Sequence, residues 1–225
     1  MLALGNLARD DNGMRVKIAA AGGLVAIVAV MTAHKTSAGV QEQACAALRS
    51  LTVHADNQVG VAAAGGLEAI ITAMTAHKTS AGVQEQACGA LYNLAVNPDN
   101  QVGAAAAGGI VATVAAMTAH KTNAGVQEQA GGALGNLAAN NPANKDAISA
   151  AGGIEALVTA MKTHQASALV QQWACLALHN LASNASLRGR IKTAGGVELA
   201  KRAFSASDAT ALTKDWGKKL LDLLA

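Results

Sequence analysis

Aromatic side chains are almost absent from this chain of 225 residues. Two Trp, one Tyr and one Phe make up 2% of the sequence, whereas apolar residues of all kinds make up 52%. An interior built from Ala, Leu, Ile and Val lets helices pack closely and leaves no evident place for a prosthetic group. We therefore expect no cofactor.

Strong net charge and long apolar runs are also missing. The formal net charge is +3 with both signs present, which is too small to indicate a nucleic-acid or membrane-surface partner. No uninterrupted apolar run approaches the about 20 residues that a membrane-spanning helix needs. The first residues, MLALGN, lack the basic region and long apolar stretch of a signal peptide.

Cysteine is scarce and occurs in one pattern. Cys45, Cys88 and Cys175 each stand five residues before a polar residue of a repeated segment. Equivalent positions on stacked helices lie about 10 Å apart, which exceeds the about 7 Å that a disulfide allows between Cα atoms. We expect buried free thiols and therefore a reducing compartment, the cytoplasm or the nucleus.

What the chain does contain is an internal repeat. The segment 83–94 (VQEQACGALYNL) recurs at 40–51 (VQEQACAALRSL), 126–137 (VQEQAGGALGNL) and 170–181 (VQQWACLALHNL), and its tail occurs at 1–7. Paired glycines that begin at residues 22, 65, 108, 152 and 195 are separated by 43, 43, 44 and 43 residues. This period predicts one array whose core lies between successive repeats.

Each repeat is predicted to contain three helices. In the segment 55–96, Asp56 and Asn57 are predicted to cap a short helix, which the glycine pair at residue 65 ends with a left-handed turn. A second helix then runs to about His77, and a third from about Val83 to Ala95. The second helix has apolar residues at helical spacing, namely Leu67, Ile70, Ile71 and Met74.

This layout resembles the armadillo repeat. The resemblance is carried by 100–109 (NQVGAAAAGG), by the second-helix segment 109–117 and by 129–138 (QAGGALGNLA), and it extends over nearly the whole chain. It implies an all-α fold, a right-handed superhelical solenoid with three helices in each repeat of roughly 43 residues. The implied units are a partial repeat 1–9, full repeats 10–53, 54–96, 97–140 and 141–184, and a C-terminal capping repeat 185–225.

The two ends of the array differ. In the last repeat Trp216 aligns with Trp173, but Leu223 stands where Asn180 would align, and the charges of the final helix predict a solvated outer face. The chain opens inside a third helix, so we expect either a fragment of a longer array or an edge that docks on a partner through its first leucines. A homodimer joined at this edge is our hypothesis. The edge consists of Leu2, Leu4 and Leu7.

One face of the third helix repeats a polar pattern. A helical step of 100° places Gln86 and Gly89 within about 40° of Asn93. The resemblance places this face in the concave groove of armadillo proteins. Across the repeats it forms an Asn/Gln ladder of Ser50, Asn93, Asn136 and Asn180, preceded by Gln43, Gln86, Gln129 and Trp173.

The ladder has two interpretations. A side-chain amide offers two donors and an acceptor, so a row of amides can hold an extended peptide by its backbone. In armadillo proteins of the nuclear-import type, a groove asparagine does this beside a tryptophan one turn earlier. Ala46, Gly89, Gly132 and Leu176 stand at that tryptophan position here, so we do not expect import signals to bind. Alternatively, the amides bond to the neighbouring helix and fix the register of the repeats.

Variation near this face favours binding. The repeats are almost identical, but the residue before the ladder position changes to Arg49, Tyr92, Gly135 or His179. We expect Arg49, Tyr92, Trp173 and His179 to add side-chain specificity. The predicted function is a non-enzymatic interaction scaffold with a protein or peptide partner. The alternative is a structural, designed or self-assembling array without a specific ligand.

Two further patterns resemble chemical sites. His34, His77, His120 and His164 recur where second helices end, but a spacing of about 10 Å prevents two of them from sharing a zinc ion. The helix dipole explains a histidine there, and we predict no metal. Cys175 and His179 are one turn apart, but cysteine recurs beside other residues in the other repeats, which indicates packing. No nucleophile, base and carboxylate are arranged together, so we predict no enzyme.

Overall fold

The computed structural model describes residues 11–206 and 209–225, and these residues fold entirely as α-helices and connecting turns. The predicted all-α fold is confirmed. Within these ranges no single helix is long and apolar enough to cross a membrane, whereas three bent pairs of consecutive helices reach that length and composition together. The partial repeat predicted at 1–9, with Leu2, Leu4 and Leu7, lies outside the described residues.

The chain divides into two compact units, one up to Ala112 and one from Thr113 onward. Each repeat is a short helix followed by two longer or equal ones. The helices of the first unit are α1 (Asn12–Ala20), α2 (Gly23–Ala33), α3 (Ala38–Leu51), α4 (Ala55–Ala63), α5 (Gly66–Ala76), α6 (Ala81–Leu94) and α7 (Pro98–Ala106). The division between the units falls within α8 (Gly109–Ala119). The remaining helices are α9 (Ala124–Ala138), α10 (Pro142–Ala150), α11 (Gly153–Thr163), α12 (Ala168–Ala182), α13 (Ala185–Ala194), α14 (Gly196–Ser205) and α15 (Ala211–Leu224).

Within each unit, the third helices of neighbouring repeats pack against each other and form the core. In the first unit α3 lies beside α6, and in the second unit α12 lies between α9 and α15. Apolar residues of α6 are buried in this contact, including Leu91 and Leu94 at 0% exposure. Small residues such as Ala44 and Cys45, also fully buried, let the helices approach closely. Each buried large aliphatic side chain contributes about 1.5–3 kcal/mol of transfer free energy.

The glycine pairs end the first helices as predicted. The first glycine of each pair has a positive φ, between 76° and 98°, and occupies the turn between the first and second helices. This left-handed conformation places the Cβ of an L residue too close to the following carbonyl, so glycine is strongly favoured. The residues are Gly22, Gly65, Gly108, Gly152 and Gly195.

The predicted cap of the short helix is wrong. Helix α4 begins at Ala55 with His54 at the N-cap position, and no side chain caps it. Asn57 instead lies buried inside the helix, and its Nδ2 donates to the backbone oxygens of Leu51 (2.9 Å) and Arg15 (3.2 Å). The amide thus serves the last carbonyl of α3 and a carbonyl of α1, because groups buried between repeats have few other donors.

A second set of buried amides closes the other helix ends. Gln84 on α6 donates Nε2 to the backbone oxygens of Met74 (2.9 Å) and His77 (3.0 Å), at the end of α5. Its equivalents bond to the equivalent carbonyls of their own repeats at 2.8–2.9 Å. This set comprises Gln41, Gln84, Gln127 and Gln171, all at most 5% exposed. The second and third helices of a repeat are therefore tied by side chain to backbone bonds.

Replacing Gly22 by alanine tests the left-handed turn. Nothing lies within 4 Å of an added Cβ at either Gly22 (φ 79°) or Gly39, a glycine inside α3. We expect G22A to lower the free energy of unfolding by about 1–2 kcal/mol through backbone strain alone. The matched control G39A is expected to raise it by about 0.5–1 kcal/mol, because alanine is the better helix former. Urea unfolding followed by circular dichroism measures both, and equal shifts would contradict a role for φ.

Replacing Gln84 by alanine tests the buried amides. The Met74 and His77 carbonyls lose their side-chain donor, and we expect a loss of about 2 kcal/mol of unfolding free energy. The control is Q43A, a glutamine of α3 that is only partly buried, with an expected change within about 0.5 kcal/mol. The same urea titration compares them, and comparable losses would mean that the Gln84 bonds do not stabilise the repeat.

Candidate functional site

The predicted ladder residues lie on the third helices at partly exposed positions. Within the first unit, the candidate face consists of Gln43, Arg49, Ser50, Gln86, Gly89, Tyr92 and Asn93, and we call this set the first-unit face. Within the second unit it consists of Gln129, Asn136, Trp173, His179 and Asn180, the second-unit face. Every one of these except buried Gly89 is accessible in part. Both faces can therefore be reached by a partner.

Two of the ladder asparagines, Asn93 and Asn180, bond to the preceding third helix. Asn93 Nδ2 donates to the Arg49 backbone oxygen at 2.8 Å, and Asn180 Nδ2 donates to the Gly135 oxygen at 2.9 Å. These carbonyls lie in the last turn of their helices, where the main chain offers few donors. This geometry agrees with the register-fixing interpretation. Each amide has a second N–H and a carbonyl oxygen with further capacity, so binding of a peptide by the same residues stays a prediction.

Arg49 crosses from α3 onto α6 in the first-unit face. Its Nη1 donates to Gln86 Oε1 at 3.2 Å. A Cβ on Gly89 would come within 2.6 Å of Arg49 Cδ and Nε, so the arginine stem occupies the space that a side chain at residue 89 would take. The guanidinium, and not an aromatic ring, therefore covers this position. On the same face, burial raises the pKa of the Tyr92 phenol.

His179 belongs to an aromatic and charged cluster in the second unit. Its ring centroid lies 5.3 Å from that of Trp216, with the planes tilted by 52°. Lys219 Nζ lies 4.4 Å from the Trp216 ring centroid and 2.7 Å from Asp215 Oδ2. The pKa of His179 is lowered, chiefly by burial and also by the positive charge of Lys219. The hydrogen bond between His179 and Asn180 and the negative charge of Asp215 act in the opposite direction but do not cancel this effect. The imidazole is therefore predominantly neutral at pH 7.

The sequence analysis missed Trp216 and Lys219 as parts of this cluster. Trp216 stands one repeat after Trp173, which is the signal that could have found it. The charges of α15 led us to expect a solvated outer face, and Lys218 does pair there with Asp222 at 2.8 Å. Lys219, one residue later on the helix, points instead over the indole. A charge pattern along one helix does not show which neighbouring ring a long side chain will reach.

The histidine pattern connects loops of neighbouring repeats. His77 Nε2 lies 2.8 Å from the Lys35 backbone oxygen, and His164 Nε2 lies 2.8 Å from the Lys121 oxygen. In the ranges that the structure describes, no group of three or more His, Cys, Asp or Glu side chains could hold a metal ion. In the fold, these two histidines therefore connect adjacent loops through a hydrogen bond from side chain to backbone.

The three thiols are free and fully buried, as predicted for their positions. Burial raises the pKa of Cys45, Cys88 and Cys175 to about 12 in each case. A thiol in this state holds almost no thiolate at neutral pH, and the thiolate is the nucleophile. These cysteines are packing residues, including Cys175 one turn before His179.

Comparisons with known proteins agree with the repeat architecture. The family model described as "Armadillo/beta-catenin-like repeat" matches residues 57–96. Comparison with curated protein sequences gives no match. The chain thus contains an armadillo repeat, and the solved structures it resembles extend this fold to the other repeats.

Three solved structures illustrate the likeness. An engineered protein solved by the Northeast Structural Genomics Consortium is 29% identical, with a TM-score of 0.86 over 99% of this chain and 87% of its own. The designed armadillo repeat protein YIII(Dq)4CqI is 22% identical, with a TM-score of 0.87 over 100% and 91% of the two chains. The designed armadillo repeat protein YIII(Dq.V1)4CPAF, solved with peptide (KR)4, is 21% identical, with a TM-score of 0.83 over 99% and 90%. The protein has the armadillo-repeat fold.

Thiol reactivity tests the burial of the cysteines. We expect the folded chain to react with a disulfide reagent at pH 8 at least about a hundredfold more slowly than the urea-unfolded chain, because both access and thiolate are lacking. The matched control is S205C, which adds a thiol at an exposed position at the end of α14. Absorbance of the released thiolate measures the rate. Rapid reaction of the folded parent chain would show that a native cysteine is accessible.

Proposed function

We propose that this chain is a non-enzymatic interaction scaffold whose third-helix faces bind an extended peptide segment or a partner domain. The observation that carries the proposal is the contrast between the repeated framework and the variable, partly exposed side chains Arg49, Tyr92, Trp173 and His179. Large, partly exposed side chains on one face of a regular scaffold are typical of recognition surfaces, where Trp, Tyr and Arg are enriched.

The ladder amides are the proposed backbone contacts. Asn93 and Asn180 use one N–H each within the fold, which holds the amide plane in a fixed orientation. A fixed amide loses little entropy when its remaining donor and acceptor pair with a peptide bond. In other modes of peptide recognition, hydrogen bonds to the main chain of an extended peptide likewise provide affinity. The likeness to a designed armadillo protein solved with a peptide supports the same use of the fold.

A second candidate function is a structural or self-assembling array. The internal bonds of the ladder amides favour it, because they give Asn93 and Asn180 a role without any ligand. The likeness to engineered and designed repeat proteins also favours it. Self-association through Leu2, Leu4 and Leu7 is part of this second proposal. Light scattering over a wide concentration range tests it, and a monomer at every concentration would count against assembly.

Asparagine variants test the scaffold proposal. Fluorescent decapeptides with Glu, Gln or Lys at alternate positions and Ala or Ser between them serve as probes, measured by anisotropy. We expect at least one of the three sets to bind the parent chain, and N93A to weaken that binding about tenfold, the effect of about one lost backbone contact.

The matched control is N57A. Asn57 also donates to a carbonyl at the end of α3, that of Leu51, but it is buried away from the first-unit face at 3% exposure. We expect N57A to lower stability at least as much as N93A and to leave binding within about twofold. If N93A and N57A weaken peptide binding equally, the loss of binding results from lower stability and not from a lost contact. Failure of all three peptide sets to bind the parent chain would reject the peptide scaffold.

A further inference from the structure

Arg49 is the one charged residue of the first-unit face. The other members are glutamines, a serine, a glycine, a tyrosine and an asparagine. Its guanidinium makes a single side-chain hydrogen bond, and the acceptor is the neutral Gln86 amide oxygen at 3.2 Å. Among the described residues no carboxylate lies within ion-pair distance of it. The face thus holds a partly exposed cation without a matching anion.

The carboxylate that precedes this face on α3 points elsewhere. A Cβ on Gly82, in the first turn of α6, would come into contact with both carboxylate oxygens of Glu42. The N-terminus of a helix carries a partial positive charge that favours an anion there. Glu42 is therefore directed to the start of α6, while Arg49 crosses the same helix two turns later, over Gly89.

Arg49 is held in place before any ligand arrives. Its aliphatic stem lies on the bare backbone at Gly89, and Gln86 fixes one end of the guanidinium. A guanidinium has five N–H donors in a planar fork, and a carboxylate matches two of them at once. A pre-oriented arginine loses less side-chain entropy on binding than a free one. The remaining donors are suited to a carboxylate from outside the chain.

We propose that Arg49 forms a subsite for an acidic side chain, Asp or Glu, of an extended peptide bound on the first-unit face. This inference rests on the proposed scaffold function and specifies its partner as an acidic peptide. Asn93 contacts the Arg49 backbone oxygen, so the proposed main-chain contact and the proposed carboxylate contact are adjacent. A basic peptide would place its charges beside the guanidinium and is disfavoured.

The three decapeptide sets described above test this inference. We expect the Glu set to bind the parent chain about tenfold more tightly than the isosteric Gln set, because only the Glu side chain can form a charge-assisted bidentate contact with Arg49. The Lys set is expected to bind most weakly. Raising the salt concentration from low to about 1 M should reduce the Glu preference, because that contact is partly exposed.

Two variants locate the effect at Arg49. R49Q should reduce the preference for Glu over Gln to within about twofold, whereas K17Q, which removes one positive charge from exposed Lys17 on α1, should leave it unchanged. G89A keeps the arginine but places a methyl group 2.6 Å from its Cδ and Nε, so the guanidinium must leave Gln86. We expect G89A to lose the preference while unfolding at a similar urea concentration.

The outcomes separate this inference from the scaffold proposal. Equal binding of the Glu and Gln sets by the parent chain overturns the acidic subsite and leaves the scaffold intact. A Glu preference that survives in R49Q, or that K17Q abolishes, also overturns it. Binding of a single-stranded oligonucleotide that depends on Arg49, with none by the Glu peptides, would assign the guanidinium to phosphate and reject the proposal. No binding of any peptide set overturns both proposals.

Discussion

Buried carbonyl groups at the ends of short helices are the constraint on which this structure depends. Each repeat contains three helix ends within about 43 residues, and the last four carbonyls of a helix have no partner in their own helix. Between packed repeats water cannot supply the missing donors. Side-chain amides do so, as Gln84 does at the end of α5 and Asn57 does at the end of α3. The amides also fix the distance between neighbouring helices.

The same constraint separates framework from recognition. Asn93 bonds to a carbonyl of the preceding third helix, so its recurrence along the chain has a structural cause before any ligand is considered. In the proposed scaffold, specificity then depends on side chains that the framework does not use, such as those of Arg49 and His179. These side chains extend across the packed third helices, Arg49 onto Gly89 and His179 to Trp216. The framework gives regular spacing, and the variable residues give each face its chemistry.

The sequence predicted features that depend on the local chain. The repeat period, the left-handed glycine turns, the apolar spacing of the second helix and the buried cysteines follow from spacing and residue type, and the structure confirms them. The cap assigned to Asp56 and Asn57 was wrong, because a helical pattern does not show that a neighbouring repeat presents carbonyls to Asn57. The place of the Arg49 side chain could not be predicted either, because it depends on the lack of a Cβ at Gly89, which lies on another helix. The positions of the side chains in the candidate site are therefore determined by contacts between repeats.

The glycine at residue 89 shows how a small residue can determine the chemistry of a face. A larger side chain there would occupy the space of the Arg49 stem and direct the guanidinium away from Gln86. In the proposed scaffold, the unit of recognition on the first-unit face is therefore a pair of residues on adjacent third helices: Gly89 leaves space and Arg49 fills it. In the second unit His179 and Trp216 also meet across adjacent third helices, but through a ring contact. Because the repeats are near copies, exchanging one residue of a pair changes the face of its neighbour while the core of both repeats keeps its packing.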